Sequence, residues 1–171
     1  METGNGDVGK RKFKLRNEIN ILIDSLMKKR GYLKTILDDS IAQLEIVSSD
    51  NPSLEDFDCL VDRKSDLLDK IDRSDEGFDI IFKKIRNDLV EQKDMYATEV
   101  RQMQDLIREI LDLGSDIHKT EQQIKEKLSP VLKQHKARLY KEKADGKAVM
   151  DYYKQANQMN YVSPAFLDQK K

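Results

Sequence analysis

LRNEINILIDSLMKKRGYLKTILDDSIAQLEIV, residues 15–47, decides the fold class. Leu15, Ile19, Leu22, Leu26, Leu33, Leu37, Ile41 and Leu44 recur in steps of three, four or seven. That spacing turns one apolar stripe toward a partner helix. At about 1.5 Å per residue, the stretch predicts a rod on the order of 50 Å long. Ser48, Ser49, Asp50, Asn51 and Pro52 end it, because proline disfavours the helical conformation of the residue before it. Ser53 is the expected N-cap of the next helix, with Glu55 and Asp56 placed favourably against its dipole.

Two further stripes lie downstream. Phe57, Leu60, Val61, Leu67, Leu68 and Ile71 form one, which fades at Arg73-Ser74-Asp75-Glu76-Gly77 and resumes with Phe78, Ile81, Phe82, Ile85 and Leu89. These segments are either two helices broken near Ser74 or one bent helix; Ser74 with Gly77 favours the break, and either form returns antiparallel to the first rod. From Met95, a longer stripe of Val100, Met103, Ile107, Ile110, Leu113, Ile117, Ile124, Leu128 and Leu132 follows. Glu121 stands where that stripe expects an apolar residue, and Gly114 weakens its middle. Pro130 removes a backbone donor and is expected to kink or end the helix near Lys127–Ser129.

Composition agrees with long helices. Of 171 residues, 37% are charged, 6% are aromatic and none is Trp, with only 7 Gly and 3 Pro. Few turn-formers argue against a sandwich, a barrel or a Gly-rich nucleotide-binding sheet. The expected fold is all-α: an elongated antiparallel helical bundle or coiled coil with two long helices, a shorter broken helix pair and a flexible C-terminal binding segment. Its divisions are a disordered leader over 1–12, the bundle over 13–135, and a flexible or partly helical segment over 136–171.

Charge is nearly balanced overall, at −1, yet unevenly spread. Residues 38–76 hold thirteen acidic against four basic residues, and residues 125–171 hold eleven basic against five acidic. The leader carries Lys10, Arg11, Lys12, Lys14 and Arg16, for which a solvated arm is the favoured reading, since no aromatic stacking platform accompanies it. No apolar run is long enough to span a membrane, and the leader lacks the apolar core of a signal peptide. One Cys leaves no internal disulfide framework and suits a reducing compartment, so the expected location is cytoplasmic.

Motifs for chemistry are sparse. GNGDVGKRK lacks the spacing of a phosphate loop. His118 and His135 stand apart, with no zinc-ligand pattern and a solvated helix face as the expected setting. DLLDKIDRSDEGFD lacks the ligand order of a calcium loop. Cys59, beside Leu60 and Val61, reads as a small buried side chain and not as a nucleophile. No catalytic residue, cofactor or metal is expected. The segment after Lys133 differs: four of six Tyr lie beyond position 139, with Met and Val among them. Adaptable side chains of that kind suit partner binding, or docking on the chain's own bundle.

The acidic second helix with LEDFDCLVDRKSDLLDKID, the third with MQDLIREILDLGSDIHKTEQQIKEKL, the stretch ADGKAVMDYYKQ and the ending SPAFLDQKK resemble the FlgN-type flagellar export chaperones. The resemblance covers roughly residues 15–171. It implies a cytoplasmic, non-catalytic chaperone that binds C-terminal helices of hook–filament junction (hook-associated) proteins, prevents premature assembly and delivers them to the flagellar type III export gate. It implies a binding segment at about residues 133–167, with Leu139, Tyr140, Val149, Met150, Tyr152, Tyr153, Met159, Tyr161, Phe166 and Leu167 as partner-binding residues. Tyr152 or Tyr153 would be the tyrosine that meets the gate. Neither nucleic-acid binding nor membrane insertion is expected, and the oligomeric state is left open between monomer and weak dimer. The competing readings are a coiled-coil protein that oligomerises without a dedicated client, and a nucleic-acid or membrane-surface binder acting through its basic ends.

Overall fold

A computed structural model describes residues 5–141, with side chains over residues 8–139. Three helices fill it: α1 (Asn5–Ser48), α2 (Leu54–Glu91) and α3 (Ala97–Lys141). No described helix is long and apolar enough to cross a membrane.

The helix ends follow from local chemistry. Ser48 Oγ donates to the Leu44 carbonyl at 2.5 Å, and Ser49 Oγ to that of Ile46 at 2.8 Å, so the last turn of α1 uses its own hydroxyls. Ser53 caps α2 as expected: its Oγ accepts from the Asp56 amide at 3.2 Å and its carbonyl from that of Phe57 at 3.1 Å. Between α2 and α3, the Gln92 carbonyl accepts from the Met95 and Tyr96 amides at 2.9 and 3.3 Å.

Three expectations are corrected. First, α1 begins at Asn5, so residues 5–12 of the expected leader are helical. Adding turns to an existing helix avoids the cost of nucleation, and the exposed Val8 and Phe13 show that no core is required. Second, α2 is one continuous helix through Ser74–Gly77, not a broken pair. Both Ser74 and Asp75 are held to α1 by hydrogen bonds there. Third, α3 does not end near Lys127–Ser129 but continues through Pro130 to Lys141. Pro130 and Glu126, one turn apart, are both exposed.

The chain divides into two compact units. Residues 1–34 and 65–112 form the first. In it Lys84 meets Glu18 at 2.5 Å and Ser74 meets Ser25 at 2.8 Å, so α2 runs antiparallel to α1. Arg16–Glu99 at 3.7 Å and Arg30–Glu109 at 3.1 Å set α3 parallel to α1. Leu15, Ile19, Leu22, Leu26, Leu33, Ile71, Ile85, Met103, Leu106 and Ile110 are buried.

Residues 35–64 and 113–171 form the second unit. Gln43 donates to the Phe57 carbonyl at 3.2 Å and Lys64 meets Ser40 at 3.3 Å, so α2 runs antiparallel to α1; Ser40–Glu121 at 2.6 Å and Lys127–Ser48 at 2.8 Å set α3 parallel to α1. Val47, Phe57, Ile124, Leu128 and Leu132 form its apolar cluster, with Leu44, Ile46, Leu54 and Val61 against it. Each such side chain, fully buried, contributes roughly 1.5–3 kcal/mol, which outweighs the ~0–1 kcal/mol of an exposed ion pair.

Candidate functional site

The buried positions of α1 include a run in alternating steps of four and three, Leu15, Ile19, Leu22, Leu26, Lys29, Leu33, Ile36, Ser40, Gln43 and Val47, with Ile23 and Asp39 buried beside it. This is the heptad seam of coiled coils. It departs from the expected stripe after Leu33, because Leu37 and Leu44 are only half-buried and Ile41 is exposed. Three seam positions carry polar residues. α2 has the same feature, with Phe57, Lys64, Ile71 and Ile85 buried at multiples of seven.

In the second unit these polar positions converge on Lys64, which is 1% exposed. Its Nζ donates to Glu121 Oε1 at 2.5 Å, to Ser40 Oγ at 3.3 Å, and to Gln43 Oε1. Three ammonium protons therefore meet three acceptors. Ser40 Oγ also lies 2.6 Å from Glu121 Oε1 and 2.8 Å from the Ile36 carbonyl. Glu121 thus fills its gap in the α3 stripe with a charge that has a dedicated partner. Burial lowers the Lys64 pKa from its ordinary value, while the Glu121 carboxylate opposes the shift.

Asp39 borders this layer. Its Oδ1 accepts from Arg63 at 2.9 Å, and its Oδ2 is buried with no hydrogen-bond partner among the described residues. Burial raises the Asp39 carboxyl above its ordinary value, against the pull of Arg63 and Lys64. A second polar layer lies in the first unit. Lys29 Nζ meets both Asp75 oxygens, at 2.9 and 2.6 Å, beside the Ser25–Ser74 contact at 2.8 Å. Burial pushes Lys29 down and Asp75 up, each toward neutrality.

Such layers specify pairing. A buried ammonium with its donors engaged has no lone pair with which to attack a substrate. If a helix slipped by one turn, Lys64 would face apolar neighbours with its charge unpaired, which is a strong penalty against wrong registers. The polar residues of both layers escape a search for apolar periodicity. The one sequence signal was Glu121, an acidic residue at an apolar position of its stripe.

Other expected residues are placed as follows. Cys59 is exposed, correcting its reading as a buried side chain; Phe57 enters the core instead. His118 faces solvent and accepts or shares a hydrogen bond with the Gln122 amide at 3.1 Å. Among the described residues no group of three or more His, Cys, Asp or Glu could hold a metal ion. Leu139 is half-buried near the end of α3, and the backbone of Tyr140 belongs to that helix. Val149, Met150, Tyr152, Tyr153, Met159, Tyr161, Phe166 and Leu167 lie outside the described residues.

No family model matches this chain, and no curated protein or solved structure matches it. The resemblance to FlgN-type chaperones therefore rests on the quoted residues alone.

Proposed function

We propose that this protein is a non-catalytic export chaperone of the FlgN type, acting in the cytoplasm. In this reading, residues 133–167 capture C-terminal amphipathic helices of hook–filament junction proteins, and the chain then presents them to the export gate. One observation carries the reading. ADGKAVMDYYKQ (residues 144–155) and SPAFLDQKK (163–171) lie C-terminal to α3 in the sequence, and Leu132 is the last described α3 residue in the apolar cluster of the second unit. Capturing a client helix would cover apolar surface that otherwise promotes aggregation.

Co-purification of the full chain with hook–filament junction proteins tests this. A defined complex is expected. Deleting residues 140–171 should abolish it while leaving the helical circular-dichroism signal largely intact. A mass that grows with concentration and no complex with any junction protein would overturn the proposal in favour of a self-associating coiled coil.

A further inference from the structure

Tyr96 anchors one end of the first unit. It is buried, and its hydroxyl donates to the Lys12 carbonyl at 3.3 Å, which brings the α2–α3 connection against the early turns of α1. On the chain flanking this contact stand Val8, Phe13, Val90 and Met95, each more than half exposed. Exposed apolar residues are ordinary, and Ile21 and Ile80 are others in this unit; these four are distinguished by flanking one contact.

The same end is basic. Lys10, Arg11, Lys12, Lys14 and Arg16 are all exposed within two turns of α1. Phe13 shares its helix face with Lys10 and Arg16, three residues away on either side. Arg16 is partly neutralised by Glu99 at 3.7 Å, and Glu91 and Asp94 also lie in the α2–α3 region. Across residues 7–16 and 88–99 six basic residues stand against five acidic ones, and the basic excess is confined to α1, where Lys10, Arg11, Lys12, Lys14 and Arg16 are offset only by Asp7.

From this combination we infer that this end of the first unit docks peripherally on an anionic lipid surface. Phe13, Val90 and Met95 settle at headgroup depth, and Lys10, Lys12 and Lys14 pair with lipid phosphates. A bilayer surface rewards both components, since apolar side chains enter the headgroup boundary while cations meet the negative surface potential. A nucleic acid fits less well, because three of the four apolar residues cannot stack on bases. The inference uses residues far in sequence from 133–167 and does not rest on the chaperone reading.

The test is sedimentation of the full chain with vesicles. Binding is expected to vesicles with roughly one-third phosphatidylglycerol in phosphatidylcholine, but not to phosphatidylcholine alone. Lys10→Gln, Lys12→Gln and Lys14→Gln together should weaken partitioning on the order of a hundredfold, and Phe13→Ala roughly tenfold. All four side chains are exposed, so the circular-dichroism signal should be unchanged. Equal binding to neutral vesicles, no binding to anionic ones, or binding indifferent to either substitution overturns the inference. So does capture of duplex DNA that competes with the vesicles and is unaffected by Phe13→Ala.

Discussion

Lys64 on α2 and Glu121 on α3 meet at 2.5 Å inside the second unit, and the two are buried unequally. Lys64 is 1% exposed, whereas the Glu121 side chain retains 19% and can reach water. That asymmetry gives the pair a direction in mutational tests.

Glu121→Leu should destabilise the fold more than Lys64→Met. The first leaves a buried ammonium without its carboxylate, costing about 3 kcal/mol or more. The second leaves a carboxylate that can hydrate. The double variant should recover most of the loss, since apolar residues often replace buried ion pairs at little cost. Urea midpoints of the four proteins measure the cycle; equal losses for the two single variants would contradict the assigned asymmetry.

Gly77→Ala should stabilise the protein by roughly 0.5–1 kcal/mol. Gly77 lies in the interior of α2, and a Cβ built there meets nothing within 4 Å. Thermal unfolding checks it, and a lower midpoint would show that the helix needs glycine at this position.

Pro130→Ala should also raise stability, by up to about 3 kcal/mol, because it restores a donor within an otherwise continuous α3. Pro130 is exposed, so no core contact is lost. Denaturant unfolding with a melting point equal to or below that of the parent would show that the proline is accommodated without strain.

Asp39 predicts a pH response. Its folded pKa lies above the ordinary carboxylate value, so between the two values the folded state binds more protons than the unfolded one. Lowering pH from neutral toward 3.8, the ordinary value, therefore relieves a penalty at this site and favours the fold. Asp39→Asn should be more stable than the parent at neutral pH, with the gap narrowing as pH falls. Parallel urea titrations across that window read the difference directly, and a gap independent of pH would remove Asp39 as its source.

The stripe of α1 as far as Leu33, the turn at Ser48–Ser53 and the Ser53 cap were legible in the amino-acid sequence, because they depend on residues within a few turns of one another. An all-α chain of long helices follows from those local rules. The candidate binding residues, by contrast, rest on the aromatic and Met content of the segment after Lys133 and on resemblance, and all but Leu139 and Tyr140 lie outside the described residues.

Tertiary structure decided what the seam contains. Lys29, Ser40, Gln43 and Lys64 look like surface residues when read along one helix. They are buried because partners from other helices satisfy them: Asp75 for Lys29, Glu121 for Lys64. The same long-range contacts keep α2 whole across Ser74–Gly77, where local propensity favoured a break. The physical reason is that helix formation is scored over neighbouring residues, whereas the cost of burying a charge depends on which group another helix brings within hydrogen-bond reach.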